Sequence, residues 1–405
     1  MRCGLLGRKL GHSYSPQIHA QLADYEYSLF EIEPEQLCDF LKNGEFTGIN
    51  VTMPYKKDVA ALCDILTDRA QKLGAVNTVV RRSDGTLIGH NTDYFGFLSM
   101  LQRTGLDVSG KKVLVLGTGG ASATAVAVLG ELGGNVIVVS RKGENNYDNL
   151  EKHSDASIIV NATPVGMYPN VGVSPIDLDQ FTRLEGVLDV VYNPARTQLL
   201  LDAEAKGLIW ENGLWMLVAQ AKESAEWFSG QQIDDSFIAK IHNVLRRQME
   251  NIVLIGMPGC GKTTIGKELA RRMYKKFVDI DAEIERQAGM SIPEIFSARG
   301  EGDFRELESQ VLKEIGKQSG FVIATGGGCV TREVNYDSLH QNGRIFWIQR
   351  EVEILPTEGR PLSHKNKLAE MYEKRRPLYE SFADGVVKND TTIDAVVEAI
   401  ITAEV

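Results

Sequence analysis

Two glycine-rich turns constrain the fold of this 405-residue chain more than any other feature. Each turn stands between a short apolar strand and a helical pattern. The first follows KKVLVL and reads GTGGAS at residues 117–122, and the second follows NIVLI and reads GMPGCGKT at residues 256–263. Backbone N–H groups at such a turn, and at the start of the helix after it, bind phosphate oxygens. The sequence therefore predicts two separate phosphate-binding sites.

Short apolar runs alternate with amphipathic helical patterns along most of the chain. This alternation predicts α/β domains with parallel sheets that are covered on both faces. The length predicts two or three domains. We place one boundary at the turn residues of LQRTGLDVSGKK and another where a helical pattern runs into the strand at Asn251. The predicted domains are residues 1–100, 101–248 and 249–405. The predicted strands are VLVLG, VIVVS, SIIVN, VLDVV, IVLIG, FVIAT and RIFWI.

Composition narrows the classes of partner. The formal net charge is −10, from 44 basic and 54 acidic residues, which argues against nucleic acid or an anionic membrane. No apolar run is long enough to be a signal peptide or to span a bilayer. We expect a cytoplasmic protein, since its cysteines are odd in number and have no metal-ligand spacing. These cysteines are Cys3, Cys38, Cys63, Cys260 and Cys329.

The second turn matches the pattern GxxxxGK[ST], which holds the phosphates of a nucleoside triphosphate. Lys262 is expected to reach the outer phosphates, and the hydroxyl of Thr263 can ligate Mg²⁺. The alternatives are a chance turn with an exposed lysine and, for Cys260, a small residue with no chemical role. The residues expected to contact ATP are Gly259, Cys260, Gly261, Lys262, Thr263 and Thr264.

Further polar residues follow the second turn. Asp279 and Asp281 in FVDID would point to opposite faces if the strand continued, so that one could serve Mg²⁺ and the other a second substrate. A turn or helix N-cap is the alternative. Arg305 and Glu308 share a helix face, where a surface ion pair is the alternative to a binding role. Three glycines at residues 326–328 permit close approach of the backbone to a ligand.

The first turn, with Gly117, Gly119, Gly120 and Ala121, is typical of dinucleotide binding. An acidic residue that selects NAD is expected roughly 20 residues after such a turn. Instead, Ser140, Arg141 and Lys142 follow the next strand. A hydroxyl and two cations suit a 2′-phosphate, so the sequence favours NADP over NAD. A solvated basic loop is the alternative.

Polar clusters also precede the first turn. The stretch GHSYSPQIHA places Ser13 and Ser15 on one side of an extended segment. Pro54 suits the first position of a helix, which puts Lys56 in the first turn, against the helix dipole. Asp93 follows in IGHNTDYFGF. For Lys56 the alternative is a solvated side chain, and for Asp93 it is a helix N-cap.

Residues 3–245 resemble shikimate dehydrogenase, because the motifs HSYSP, GINVTMPYK, GAVNT, NTD, GTGGA, NATPVGM, DVVYNP and GLWMLVAQ appear in family order. The resemblance implies a substrate-binding domain, an NADP-binding Rossmann domain and an active site in the cleft between them. It implies Lys56 and Asp93 as the catalytic pair. The residues implied to bind substrate are Ser13, Ser15, Thr52, Asn77, Tyr192 and Gln220. Those implied to line the nicotinamide site are Met167, Val190 and Gly213.

Residues 250–385 resemble shikimate kinase, which implies a P-loop fold of the nucleoside monophosphate kinase type. The resemblance implies metal binding by Thr263 and Asp279, and Arg360 as a lid residue over the phosphates. Two arginines of the family are missing, one upstream of Arg360 and one near the adenine. Asp281 and Lys262 are implied to be catalytic. The residues implied to bind shikimate are Asp281, Arg305, Gly327 within the 326–328 turn, and Arg375.

Together the two resemblances predict one bifunctional enzyme. Its first half would reduce 3-dehydroshikimate with NADPH, and its second half would phosphorylate shikimate with Mg-ATP. A first half that prefers quinate is one alternative, and a ligand-sensing regulator without turnover is another. Such a regulator should lack Lys56, Asp93, Lys262 or Asp281, and all four are present.

Overall fold

The computed structural model describes residues 1–11, 13–355 and 365–403, with the side chains of 365–367 left out. The chain divides into two compact units. The first unit comprises Met1–Val165, Ser174–Tyr192 and Asp202–Val244. The second comprises Gly166–Val173, Asn193–Leu201 and Leu245–Val405. Within the described residues, every helix is too short or too polar to cross a lipid bilayer.

The first sheet lies in the first unit and has the strand order β2-β1-β3-β5-β6-β4. Its strands are β1 (Arg2–Gly7), β2 (Glu26–Glu31), β3 (Gly48–Val51), β4 (Ile65–Leu66), β5 (Thr78–Arg81) and β6 (Leu87–His90). The helices of this region are α1 (Ser15–Leu22), α2 (Leu37–Asn43), α3 (Lys56–Leu62), α4 (Asp68–Leu73) and α5 (Asp93–Thr104). The expectation of parallel sheets fails here at β5, which pairs antiparallel with both β3 and β6.

The second sheet, also in the first unit, is parallel and has the order β11-β10-β9-β7-β8. Its strands are β7 (Lys112–Leu116), β8 (Asn135–Val139), β9 (Ile158–Asn161), β10 (Gly186–Asp189) and β11 (Ile209–Glu211). The helices that follow them are α6 (Gly120–Glu131), α7 (Gln198–Ala205), α8 (Leu214–Ser229) and α9 (Ser236–Met249). β9 and β10 are buried along their whole length, as a central position between two helix layers requires.

The third sheet lies in the second unit and is parallel, with the order β13-β14-β12-β15-β16. Its strands are β12 (Asn251–Ile255), β13 (Lys276–Asp279), β14 (Phe321–Ala324), β15 (Gly343–Gln349) and β16 (Gly385–Lys388). Its helices are α10 (Lys262–Arg272), α11 (Ile280–Ala288), α12 (Ile292–Gly316), α13 (Val334–His340), α14 (Lys365–Phe382) and α15 (Ile393–Ala403). α12 is broken at Gly300, whose φ is +82°.

The seven predicted strands are confirmed as β7, β8, β9, β10, β12, β14 and β15. Each of the three predicted domains holds one sheet, but the compact units follow a different division. The segment Asn193–Leu201 belongs to the second unit, where Ala195 N–H donates to Asn342 Oδ1 at 2.8 Å and Arg196 N–H to Gln341 O at 2.8 Å. The three-domain boundaries stay a prediction. All five cysteines are free thiols.

Candidate active sites

An ion pair joins the first residues of α3 and α5. Lys56 Nζ lies 2.6 Å from Asp93 Oδ2, and the two side chains are 26% and 13% exposed. Asp93 Oδ1 accepts a hydrogen bond of 2.9 Å from Asn77 Nδ2. Asp93 is not a helix N-cap, because Thr92 occupies that position, although its side chain makes no capping hydrogen bond. A cation beside a fixed carboxylate, still open to solvent, can deliver and recover a proton.

The amide of Asn77 is held in one orientation. Its Oδ1 accepts a hydrogen bond of 2.7 Å from the backbone N–H of Thr92. Because an N–H group can only donate, the oxygen of the amide must face Thr92 and Nδ2 must face Asp93. Asn77 Nδ2 also lies 3.5 Å from Gln220 Oε1 on α8. Gly96 allows α5 and α8 to approach closely, since a Cβ there would be 2.7 Å from Met216 O. The structure thus brings together Asn77, Gln220 and the Lys56–Asp93 pair.

The serines at the start of α1 differ from the sequence prediction. Ser15 is the first residue of α1, and Tyr14 before it has helical φ and ψ of −80° and −8°. The extended segment predicted to align Ser13 with Ser15 is therefore wrong, because the backbone already turns into the helix. Ser13 Oγ instead accepts from Ser15 N–H at 3.2 Å.

Thr52 and Tyr192 each lie just after a strand, β3 for Thr52 and β10 for Tyr192. Thr52 follows β3, and its N–H donates to Leu6 O at 2.9 Å. The Tyr192 ring meets the ring of Tyr14 edge to face, with centroids 6.3 Å apart. Burial raises the pKa of the Tyr192 hydroxyl. Pro54 is not the first helical residue, because α3 begins two residues later, at Lys56, although Lys56 does lie in the first turn as predicted.

The first glycine-rich turn is open to a ligand. Gly117 has a φ of +106° and turns the chain away from β7. Gly119 is the N-cap residue of the 12-residue α6 and Gly120 is its first residue, and a Cβ on either would meet nothing within 4 Å. Ser122 Oγ donates to Gly117 O at 2.7 Å and closes the turn. Exposed N–H groups at a helix start fit the diphosphate of a dinucleotide. Ala121 follows in the first turn of α6 and is half-buried.

The predicted selector of the 2′-phosphate lies beside this turn. Ser140, Arg141, Lys142 and Thr118 line a cavity of about 450 Å³. Arg141 and Lys142 are exposed. Ser140 ties down the loop through its N–H, which donates to Asn145 O at 3.1 Å, and its Oγ, which donates to Lys142 O at 2.9 Å. Two cations and a hydroxyl around one cavity fit a phosphate monoester.

Gly213, which the sequence predicts for the nicotinamide site, is the N-cap residue of α8. A Cβ on Gly213 would be 2.0 Å from Val190 O, so only glycine fits there. Sequence analysis did not single out Asn161 and Asp189, which are fully buried and joined by a 3.0 Å hydrogen bond at the ends of β9 and β10. Polar residues at the carboxyl ends of adjacent parallel strands could have identified them. Met167 lies in Gly166–Val173, in the second unit, with a 45% exposed side chain.

A cavity of about 600 Å³ in the second unit gathers most residues predicted for its site. Cys260 is fully buried and does not line this cavity; its carbonyl accepts from Asn389 Nδ2 at 2.7 Å. The lid residue Arg360 lies outside the described residues. The predicted residues that line the cavity are Gly259, Gly261, Lys262, Thr263, Thr264, Asp279, Asp281, Arg305, Gly327 and Arg375.

Lys262 is not an exposed lysine. It is 8% exposed, and its Nζ donates to Gly256 O at 2.8 Å and to Met257 O at 3.1 Å, within the loop itself. Gly261, with a φ of +104°, is the N-cap residue of the 11-residue α10. The loop therefore combines an ammonium group with a helix N-terminus, an arrangement that binds polyphosphate.

Asp279 combines two of the roles considered from sequence. β13 ends at Asp279, so the predicted alternation with Asp281 along a continuing strand is wrong, and Asp281 lies in the first turn of α11. Asp279 Oδ1 caps α11 by accepting from Asp281 N–H at 3.1 Å, and its Oδ2 accepts from Thr263 Oγ1 at 2.6 Å. The described residues contain no group of three His, Cys, Asp or Glu side chains suited to a metal. One carboxylate and one hydroxyl fit Mg²⁺, which keeps waters and takes phosphate oxygens as further ligands.

The Arg305–Glu308 pair is buried in the cavity wall and is not the surface ion pair of the alternative interpretation. Burial raises the pKa of Asp281, although Lys262 opposes this shift. A Cβ on Gly326 would be 2.5 Å from Glu308 Oε1 and 2.8 Å from Asp281 Oδ1, so a side chain there would push these carboxylates aside. Backbone and carboxylates thus share a narrow space.

Arg375 on α14 fixes the middle of this turn. Its Nη1 donates to Gly327 O at 3.0 Å, and the buried Tyr379 hydroxyl donates to the same oxygen at 2.5 Å. Sequence analysis missed Tyr379 and also Arg350, which lines the cavity. Arg350 directly follows β15, and a cation at the carboxyl end of a parallel strand was the available signal.

Family comparisons agree with both halves of the chain. The model for the shikimate dehydrogenase substrate binding domain matches residues 5–79, and the shikimate kinase model matches residues 258–404. Shikimate dehydrogenase (NADP(+)) of Clostridium perfringens is 35% identical over 265 residues, which cover 60% of this chain and 97% of that protein.

Solved structures resemble the same part of the chain. Shikimate dehydrogenase 1 of Peptoclostridium difficile is 38% identical with a TM-score of 0.56, covering 60% of this chain and 97% of that one. Shikimate 5-dehydrogenase of Thermus thermophilus, in complex with NADP(H) and shikimate, is 33% identical with a TM-score of 0.56, covering 60% and 99%. The chain therefore belongs to the shikimate dehydrogenase family and carries a shikimate kinase family domain at residues 258–404.

Proposed function

We propose that this chain carries out two consecutive reactions on one cyclohexene acid. The first unit reduces 3-dehydroshikimate to shikimate with NADPH, and the second phosphorylates shikimate with Mg-ATP to shikimate 3-phosphate. The observation that carries the proposal is the presence, in one chain, of a Lys56–Asp93 pair and of a phosphate-binding loop beside Asp281 and Arg305.

In the first reaction, NADPH supplies a hydride to the ketone carbon. Lys56 donates the proton that the ketone oxygen requires and stabilises its developing negative charge. Asp93 keeps Lys56 in place through the 2.6 Å ion pair. We assign Ser13, Ser15, Thr52, Asn77, Tyr192 and Gln220 to the substrate's carboxylate and hydroxyls.

The bound NADPH would lie along the first glycine-rich turn. Gly117, Gly119, Gly120 and Ala121 would take the diphosphate, because their helix start is open. Ser140, Arg141 and Lys142 would take the 2′-phosphate. The nicotinamide would lie against Val190 and Gly213 of the first unit.

In the second reaction, Arg305 and Arg375 bind the shikimate carboxylate, since guanidinium groups pair with carboxylates in two-pronged geometry. Asp281 accepts the proton of the attacking hydroxyl. Lys262 stabilises the transferred phosphoryl group, and Thr263 and Asp279 would hold Mg²⁺ at the phosphates. We assign Arg360 to the phosphates as well. Alignment and positive charge supply most of the catalysis in phosphoryl transfer.

A coupled assay tests both halves at once. The full chain is given 3-dehydroshikimate, NADPH and Mg-ATP, and the variants Lys56→Ala and Lys262→Ala are compared with it. We expect Lys56→Ala to abolish NADPH oxidation while ADP formation from added shikimate persists, and Lys262→Ala to abolish ADP formation alone. Oxidation of quinate faster than shikimate would favour the quinate alternative. A chain that binds shikimate and performs neither reaction would favour the regulator.

A further inference from the structure

A fully buried serine hydroxyl lies within hydrogen-bond distance of four polar atoms in the first unit. Ser224, on α8, is 0% exposed. Its Oγ lies 2.7 Å from Asn50 Nδ2, 2.9 Å from Thr78 Oγ1, 3.0 Å from Thr92 Oγ1 and 2.9 Å from Gln220 O. A serine hydroxyl has one donor and two acceptor positions, so these four neighbours more than fill its capacity.

The chemistry of two of these neighbours fixes the direction of their bonds to Ser224. Gln220 O can only accept, so the hydroxyl proton of Ser224 points to it. Asn50 Nδ2 donates to Ser224 Oγ, and its orientation is supported by Asn77 O, an acceptor 3.4 Å away. The remaining acceptor position of Ser224 is available to the hydroxyl of either Thr78 or Thr92. Because Thr92 Oγ1 can donate there, its own lone pair is available to Asn77 Nδ2 at 3.0 Å.

This chain of bonds ends on the reacting pair. Besides its bond to Thr92 Oγ1, Asn77 Nδ2 donates to Asp93 Oδ1 at 2.9 Å. The other carboxylate oxygen, Asp93 Oδ2, accepts from Lys56 Nζ at 2.6 Å. Asn50, Asn77 and Thr92 are each at most 5% exposed, so water cannot replace a lost partner without entering a packed site.

We infer that Ser224 and Thr92 are positioning residues for the reduction: they fix the amide of Asn77, and through it the substrate hydroxyls and the carboxylate of Asp93. Neither residue touches the reacting atoms. This inference rests on the proposed function of the first unit. It explains why α8, which supplies Gln220, also carries a hydroxyl one turn later at Ser224.

The test compares Ser224→Ala, Thr92→Val and Thr92→Ser with the wild-type full chain. Thr92→Val keeps the shape of the side chain and loses the hydroxyl, and Thr92→Ser keeps the hydroxyl. The matched control is Ser229→Ala on the same helix, whose hydroxyl makes the same bond to the carbonyl four residues earlier, at 2.8 Å to Ala225 O. We measure KM for 3-dehydroshikimate and for NADPH, the Kd for shikimate by calorimetry, and thermal melting by circular dichroism.

We expect Ser224→Ala and Thr92→Val to raise the KM for 3-dehydroshikimate and the Kd for shikimate about tenfold, the size of one lost hydrogen bond. The KM for NADPH should stay within twofold, and Thr92→Ser and Ser229→Ala should match wild type. A purely structural role would lower the active fraction without raising KM or Kd. Wild-type values within twofold in both hydroxyl-deleting variants would overturn the inference alone. A wild-type chain that neither reduces 3-dehydroshikimate nor binds shikimate would overturn the proposed function as well.

Discussion

Arg305 and Glu308 form an ion pair that is almost entirely removed from water, with Nη1 and Oε2 2.7 Å apart and side-chain exposures of 13% and 0%. Burial raises the pKa of Glu308, although Arg305 lowers it. The second partner of Arg305 is Glu301, 3.3 Å away and 60% exposed. The same guanidinium therefore has one buried and one solvated carboxylate partner, which makes a matched pair of substitutions possible.

We predict that Glu308→Ala lowers the free energy of unfolding of the second unit by about 3–5 kcal/mol, the usual cost of breaking a buried ion pair by removing one partner. Glu301→Ala should cost about 0–1 kcal/mol, as exposed pairs do. The KM for shikimate in the kinase assay should rise in the first variant only. Chemical denaturation followed by fluorescence measures the difference, and equal losses for the two variants would contradict it.

The buried carboxyl of Asp281 should make the stability of the protein depend on pH. Burial raises its pKa above the ordinary 3.8, so the folded protein holds this proton more tightly than the unfolded chain. Since the folded state then binds more protons, stability falls as pH rises from 3.8 through the raised value and stays lower above it. Asp281→Asn cannot ionise. We therefore expect its unfolding midpoint to exceed that of wild type at about pH 8 and the gap to close toward about pH 4.

The same Asp281→Asn variant should lose kinase activity, because it removes the acceptor of the hydroxyl proton. Calorimetric melting at about pH 4, 6 and 8 measures the stability gap, and ADP formation measures the activity. If Asp281→Asn melted at a lower temperature than wild type at about pH 8, the ionised carboxylate would instead stabilise the fold.

Features set by adjacent residues could be predicted from the sequence. Local periodicity and glycine spacing predict both glycine-rich turns and the strands before them. They also predict the position of Lys56 in the first turn of a helix. The i, i+3 spacing also showed that Arg305 and Glu308 would meet. It could not show that they are buried, because burial depends on the turn at 326–328, which lies beyond the end of their helix in the chain.

Features set by distant pairing could not be predicted. β4 and β5 have two and four residues, too few for a pattern to define their direction or register. The end of β13 at Asp279 depends on which of two local options the carboxylate takes, and it takes the helix cap. The inclusion of Asn193–Leu201 in the second unit depends on Asn342, far along the chain, and no local signal reports it.

Arg141 carries a prediction about cofactor choice. If the cavity beside Ser140 holds the 2′-phosphate, Arg141→Ala removes a charge-assisted hydrogen bond worth about 1.5–3 kcal/mol. The KM for NADPH should then rise roughly 10- to 100-fold while the KM for NADH is unchanged. Lys152→Ala, an exposed cation that does not line this cavity, is the control and should leave both constants unaltered. A parallel rise for both cofactors would place the 2′-phosphate elsewhere.

Gly213 and Gly130 make opposite predictions for the same substitution. A Cβ on Gly213 would be 2.0 Å from Val190 O, a backbone atom that no side-chain rotation can move away. Gly213→Ala should therefore destabilise the first unit by about 1–3 kcal/mol or more, as overpacking does, and should raise the KM for NADPH.

A Cβ on Gly130, in the last turn of α6, would meet nothing within 4 Å. Gly130→Ala should stabilise the same unit by about 0.4–1 kcal/mol, because alanine has less freedom in the unfolded chain. Calorimetry measures both changes in melting temperature, in the unfolding transition whose melting temperature rises when NADP⁺ is added. A Gly213→Ala variant with the melting temperature of wild type would mean that Val190 moves aside without cost.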